Sequence, residues 1–432
     1  MINLPAAEVE RLSVSDVVSP YIGVFFVAWL VTILITPLMY RFAIRKGIVD
    51  SPDQDRKKHR EPVAYLGGVA IFLGWLAGVS LYLWISQHLP ASLQITHFDF
   101  PITIIFGAVI ITVTGLFDDV RGISPRVKIG GQLIAAAMVA HTDLGTRLVW
   151  DTFDSLELTH IPMIEHWLSM QYGLGYWLGM VVVAVFIIGG CNSVNLLDGL
   201  DGLATGVLSI ATLGFLVIAS FIAIELTDPT APPTDRLSNG VRVVMCLAIL
   251  GALQGFLPHN FNPANIFMGD TGSLLMGYLC ATTILMFAHA PNAGPAMVSA
   301  ALIVFALPIM DTSLAIFRRV MARQSIVGGD NRHLHHLMLN AFREMGFGVN
   351  LSVKLAVVTM YILASVFAVL GCTLLFYTRW RFVLAVLVVL FGFVMVAGYK
   401  SGQRHARLAK VDVDDESKSE LATPRAGACS DS

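Results

Sequence analysis

Along this chain the apolar residues fall in long blocks, separated by shorter stretches rich in Asp, Asn, Gly, Lys and Arg. A helix needs about 20 apolar residues to cross the hydrocarbon core of a bilayer. By that length an all-α integral membrane protein of about eleven transmembrane helices is predicted, near 21–43, 66–86, 101–117, 127–142, 173–191, 203–224, 241–258, 272–289, 297–317, 354–376 and 381–399. The block from Val127 is short and ends in His141 and Asp143, so ten spans plus one re-entrant piece is the alternative. The first block, Tyr21 to Ala43, is too long for the apolar core of a cleaved signal and lacks a charged lead-in, which makes it a permanent span.

Charge sets the orientation, because cytoplasmic loops collect Lys and Arg. One set of loops, together with the tail, holds 22 of the 28 basic residues, so the N-terminus is expected outside and the C-terminus in the cytoplasm. Three regions follow: an external segment 1–20, a multi-span domain 21–400, and a cytoplasmic tail 401–432 whose small polar residues cannot build a core and are expected to be disordered. Residues from about Leu144 to Gln171 form an external loop with Trp150 and Trp167 at the interface. At 56% hydrophobic and 13% charged, the composition agrees with a membrane protein, and a net charge of -2 leaves no basic stripe for nucleic acid. The five cysteines show no CxxC spacing, and four of them lie in or beside apolar blocks, which reads as small buried hydrophobes.

Two of the cytoplasmic loops break the basic pattern. The stretches Asn192–Gly202 and His259–Gly272 carry Asp198, Asp201 and Asp270 without one Lys or Arg, and Asp118 and Asp119 end the third span on the same side. Anions gathered at a membrane surface are costly unless a cation joins them. A hard divalent ion fits, since Mg²⁺ is held by one or two carboxylates and fills its other positions with water and phosphate oxygens. The plainer reading is that each Asp caps a helix or sits in a turn.

The motifs differ in how much they specify. An Asp-Asp pair alone says little. In Asn192-Ser-Val-Asn195-Leu-Leu-Asp198-Gly199-Leu200-Asp201-Gly202 the amides and carboxylates recur at one-turn spacing, which suits a nucleoside or sugar needing both donors and acceptors. In His259-Asn260-Phe-Asn-Pro-Ala-Asn-Ile-Phe267-Met-Gly269-Asp270-Thr-Gly272, Asp270 stands at a helix start where exposed amides favour an anion, and Phe267 offers a stacking face. His333-Leu-His335-His336 sits in a basic loop; with no cysteine or second ligand cluster beside it, phosphate is a better partner than zinc. Asp311, inside the ninth block, is a functional candidate whose role the sequence leaves open.

In this order between the spans, these motifs resemble the polyprenyl-phosphate N-acetylhexosamine-1-phosphate transferases, over roughly Arg45 to Lys400. The resemblance implies Asp118, Asp119 and Asp270 as catalytic residues, with Mg²⁺ on Asp270 and close to Asp118, and Mn²⁺ able to stand in. It implies a uridine pocket of Asp198, Gly199, Leu200, Asp201, Asn260 and Phe267, lined further by Asn192 and Asn195. Lys58, just before Gly67-Gly68, would help hold the nucleotide, and His333, His335 and His336 would meet the diphosphate. The family's proline near Ala64 is missing here. His-x-His-His in place of three consecutive histidines resembles the branch that passes N-acetylglucosamine 1-phosphate from UDP-GlcNAc to undecaprenyl phosphate at the bacterial inner membrane, releasing UMP. The alternative within the family is phospho-MurNAc-pentapeptide transfer, and outside it a transporter, which would place its carboxylates near the bilayer midplane. The resemblance also leaves room for a homodimer.

Overall fold

A computed structural model of the chain describes residues 12–50, 63–88, 100–170, 173–226, 233–321 and 333–376, with scattered positions between 381 and 396. Fifteen α-helices account for nearly all of it. In order they are α1 (Val14–Val18), α2 (Ile22–Lys46), α3 (Gly67–His88), α4 (Ile102–Arg121), α5 (Pro125–Ala140), α6 (Leu144–Ser155), α7 (Pro162–Ser169), α8 (Leu174–Leu197), α9 (Leu203–Phe221), α10 (Pro233–Asn260), α11 (Gly269–Met286), α12 (Gly294–Val304), α13 (Ala306–Met321), α14 (Leu334–Glu344) and α15 (Val349–Thr373). The strands are two residues each: β1 (Val49–Asp50) pairs antiparallel with β2 (Val63–Ala64), and Ala64 bridges in parallel to Ile266.

Among the described residues, eight helices are long and apolar enough to cross a membrane, and a bent pair brings the number to nine. The chain is a multi-pass membrane protein. The eleven predicted spans differ from this in three places. The block 127–142 becomes α5, whose 16 residues reach roughly 24 Å and fall short of a 30 Å hydrocarbon core. The block 297–317 is not one helix: α12 and α13 meet at a 74° bend. Pro308 explains the break, because it lacks an N–H for the Val304 carbonyl and its ring crowds that oxygen. Most of the block 381–399 lies outside the described residues, as do Lys58 and the tail 401–432. The loop 144–171 contains α6 and α7, with Trp167 exposed.

The outer helices keep apolar side chains on their outward faces, such as Phe26, Leu30, Leu34 and Leu38 of α2, as a lipid solvent requires. The centre is α11, wholly enclosed by its neighbours. Three helices reach it through glycine, which lets backbones approach where no hydrophobic drive separates protein from lipid. A Cβ on Gly68 of α3 would lie 2.1 Å from the Gly272 nitrogen, one on Gly115 of α4 would lie 2.5 Å from the Asp270 carbonyl oxygen, and one on Gly277 would lie 2.3 Å from the Gly190 carbonyl oxygen of α8. The segment ahead of α11 is stitched to the segment ahead of α3. Phe267 N donates to Ala64 O (2.9 Å), Gly67 N to Phe267 O (3.0 Å) and Gly68 N to Met268 O (3.0 Å).

Gly115→Ala is therefore expected to force α4 away from α11 and to cost about 1–3 kcal/mol, the usual range for overpacking. Gly130→Ala, which meets nothing within 4 Å, is the neutral control. Melting temperatures in detergent check the pair; equal values would contradict the close approach.

Candidate active site

The site forms where the ends of α4, α8 and α10 meet the starts of α5, α9 and α11. Met268, the residue before α11, offers no side-chain cap, and a carboxylate from α4 supplies one instead. Asp119 accepts from Asp270 N (2.7 Å) with Oδ1, and from Thr271 N (2.9 Å) and the Thr271 hydroxyl (2.6 Å) with Oδ2. Amides at a helix start need such acceptors, and a negative charge there also suits the helix dipole. Gly269 makes room for it: its φ is +66°, and a Cβ would stand 2.6 Å from the Asp119 carboxylate. Asp119 is thus consumed in holding α11.

Its neighbour Asp118 turns the other way. Asp118 Oδ1 accepts from Ile123 N (2.9 Å), and Oδ2 lies 3.1 Å from Lys128 Nζ at the start of α5. Lys128 also pairs directly with Asp270 Oδ2, and its Nζ is 3.4 Å from Asn195 Oδ1. Asn195 then donates to Asp270 Oδ1 (2.7 Å) and to the Ser273 hydroxyl (3.0 Å). Two carboxylates from separate helices therefore converge on one cation. In the sequence Lys128 is one of the basic residues that set orientation and, with Arg121, a candidate partner for the Asp118-Asp119 pair; its pairing with Asp270 comes from the fold.

A cleft of about 220 Å³ opens beside this pair, lined by Tyr65, Asn195, Asp198, Gly199, Leu200, Asp201, Phe267, Gly269 and Asp270. Seven of these nine are site residues expected from the sequence. Tyr65 was missed, since nothing in the sequence marks it; its ring centre is 6.2 Å from that of Phe267 at an interplanar angle of 55°. Asp201 is buried and spends Oδ2 on the Asn262 amide (2.9 Å) and Ala264 N (3.0 Å), holding one cleft wall. The Asp198 carboxyl has no hydrogen-bond or ion-pair partner among the described residues. Burial, with the charges of Asp270, Asp119 and Asp201 added, pushes its carboxyl up to about 8.

Several expected residues lie elsewhere. Asn260 is 2% exposed and fully used inside the protein: Oδ1 accepts from Gly202 N (3.2 Å) and the Thr205 hydroxyl (2.8 Å), and Nδ2 donates to Ile266 O (3.1 Å). Asn192 donates to Gln132 Oε1 (2.9 Å) and Ile188 O (2.8 Å), outside the cleft lining. His335 stands against the backbone of Gly199 and does not line the cleft. His335 is 1% exposed, and burial, with the repulsion of His336, lowers its pKa to about 3, so it is a neutral ring and no cation for phosphate. His333 is bonded to Asp311. His336 packs against His335 with ring centres 4.3 Å apart.

Among the described residues no group of three His, Cys, Asp or Glu side chains is arranged to hold a metal by itself. Asp118 and Asp270 nonetheless meet at one ammonium, so the donor set fits a hard divalent ion that takes two carboxylates from protein and the rest from water and phosphate. Asp198, which lines the same cleft, keeps its proton in the metal-free site at neutral pH and would add its charge once a cation draws that proton off.

Comparison with known proteins bears on this geometry. A family model described as glycosyl transferase family 4 matches residues 101–288, from α4 to the end of α11. A probable undecaprenyl-phosphate N-acetylglucosaminyl 1-phosphate transferase of Bacillus subtilis (strain 168) is 32% identical over 84% of this chain and 88% of its own length. A decaprenyl-phosphate N-acetylglucosaminephosphotransferase of Mycobacterium tuberculosis (strain ATCC 25618 / H37Rv) is 31% identical over 72% of this chain and 74% of its own. A phospho-N-acetylmuramoyl-pentapeptide-transferase of Chlamydia pneumoniae is 34% identical over 57% of this chain and 66% of its own.

Asp198 yields a pH test. The unfolded chain loses this proton near the ordinary carboxylate value of about 4, while the folded chain keeps it until about 8. Between those values the folded state binds more protons, so the stability of the metal-free protein should fall as pH rises through the window. Asp198→Asn should flatten that fall and raise the melting temperature at pH 8 by several degrees, measured in detergent with a chelator; an unchanged slope would contradict it.

Proposed function

The chain belongs to glycosyl transferase family 4, and from that premise we propose that it moves N-acetylglucosamine 1-phosphate from UDP-GlcNAc to undecaprenyl phosphate, releasing UMP. We place the reaction at the cytoplasmic face of a bacterial inner membrane, as the basic loops of the sequence suggest. The coarser activity, sugar-phosphate transfer to a polyprenyl phosphate, is carried by the names of the B. subtilis and M. tuberculosis relatives, and the third name gives transfer of a phosphorylated sugar. The observation that carries the reading is the convergence of Asp118 and Asp270 on Lys128 at the mouth of a cleft walled by amides, carboxylates and two aromatic rings. Two features favour GlcNAc over MurNAc-pentapeptide: the B. subtilis relative aligns along far more of the chain, and the histidine motif is interrupted by Leu334.

The reaction brings two anions together, so alignment and charge neutralisation carry most of the barrier. Phe267 and Tyr65 supply faces for the base, and Asn195 supplies an amide beside the diphosphate. The acceptor phosphate oxygen attacks the β-phosphorus in line while the bond to UMP breaks. Asp118, fixed by Ile123 N and Lys128, orients the acceptor and is held in one rotamer for that task. Asp119 acts through α11, keeping Asp270 in register. Asp118 and Asp270 would hold Mg²⁺, or Mn²⁺ in its place, and the ion would supply positive charge to the diphosphate. Lys128, beside both carboxylates, supplies a second positive charge for phosphate oxygens.

Incubation of the purified protein with undecaprenyl phosphate, Mg²⁺ and a panel of UDP-sugars tests the substrate. UMP should form with UDP-GlcNAc; UMP only with UDP-MurNAc-pentapeptide would move the chain to the other branch, and none with any donor would end the transferase reading. Lys128→Met should lower kcat by about 100-fold or more, the scale of removing one charge-stabilising donor, without loss of folded protein. Turnover within threefold of wild type would remove Lys128 from the site.

A further inference from the structure

We infer that Asp311 is a positioning residue for the nucleotide cleft: it clamps the histidine turn onto α13 so that His335 buttresses Gly199 from behind. The inference rests on the transferase reading for what the cleft binds, and on geometry alone for the clamp.

Asp311 is 1% exposed and lies on α13, past the 74° break. Both its oxygens reach across to the start of α14. Oδ1 accepts from Leu334 N (2.7 Å), and Oδ2 accepts from His333 Nδ1 (3.0 Å). The carboxylate thus caps a helix that belongs to another part of the chain, satisfying an amide that α14 cannot satisfy itself. The clamp passes directly to the next histidine. The rings of His333 and His335 are stacked, 5.6 Å apart and 7° from parallel, and His335 Nδ1 is 3.9 Å from Asp311 Oδ2.

His335 carries the constraint to the cleft. A Cβ on Gly199 would stand 2.4 Å from His335 Nε2, so the imidazole edge lies directly against the backbone of a cleft-lining residue. Neither ring nitrogen of His335 has a hydrogen-bond partner among the described residues, although both are buried. That is a costly state for a polar ring, and it makes the placement depend on the clamp around it. The far end of the same wall is tied separately, by Tyr361 donating to Gly202 O (2.6 Å) and by Asn260 accepting from Gly202 N (3.2 Å). The Gly199 end leans on α14. Without Asp311, that end loses its backing, and the Asp198–Leu200 wall is free to retreat from the nucleotide.

The test uses the full-length purified protein and three variants. Asp311→Ala removes both acceptors; Asp311→Asn keeps an oxygen for Leu334 N; Gly199→Ala drives a methyl into His335 from the other side. Asp311→Ala and Gly199→Ala should each raise KM for UDP-GlcNAc about tenfold, the scale of one lost charge-assisted contact, with kcat within about threefold. Asp311→Asn should recover most of the loss. Hydrogen exchange in Asp311→Ala should quicken at 334–338 and 198–202 and stay unchanged in α2, α3 and α10. Unchanged exchange at 198–202, or exchange quickened along the whole chain, would overturn the clamp. The exchange measurement needs no substrate, so it decides the clamp even if the wild type turns over no UDP-sugar, a result that would count against the transferase reading instead.

Discussion

The site depends on one helix start. α11 is enclosed by protein along its length and begins without a cap of its own, so its first amides must find acceptors from elsewhere. Asp119 provides them from the end of α4, and in doing so joins the two helices that carry the reactive carboxylates. Because Asp118 and Asp119 are adjacent, fixing one against α11 turns the other toward Lys128. Asp270, the second residue of α11, is carried to the same point by the same bonds. Gly115 and Gly269 permit the approach, and a side chain at either would separate the partners.

That arrangement gathers more negative charge than a membrane surface tolerates alone. Asp118 and Asp270 share Lys128, Asp119 is neutralised by amides at a helix terminus, and Asp201 by Asn262 and Ala264. Asp198 lines the cleft without a side-chain partner among the described residues and holds its proton there. A site built with a shared ammonium and a carboxyl that can still ionise is poised to accept further cation, and a divalent ion arriving with a diphosphate satisfies both the carboxylates and the incoming phosphates.

The span pattern was largely legible in the sequence because a bilayer demands length and apolarity before anything else. It failed where another rule intervened: at Pro308, which breaks an apolar block, and at α5, which is too short to cross. The acidic loops pointed to the cleft, since carboxylates without basic companions have no cheaper explanation when they cluster. Their separate duties were not legible. Asp119 and Asp201 follow the plainer reading, capping a helix and bracing a loop, while Asp118 and Asp198 do not. Asn260 and His335 sit in motifs that resemble substrate contacts, yet they support the wall of the cleft from within. Which face of a wall a residue occupies is decided by packing between distant helices, and no local pattern records it. Lys128 was legible as a candidate partner of the Asp118-Asp119 pair, but not as the cation that Asp118 shares with Asp270.

Electron paramagnetic resonance of Mn²⁺ bound to the purified protein, with and without UDP-GlcNAc, tests the central claim most directly. Wild type should hold one Mn²⁺ whose signal broadens when the nucleotide carries ¹⁷O-labelled phosphates, and Asp270→Asn should lose that ion while keeping its helical circular dichroism. A bound ion that ignores the labelled phosphates, or that persists at full occupancy in Asp270→Asn, would contradict a metal gripped by these carboxylates for the sake of a diphosphate.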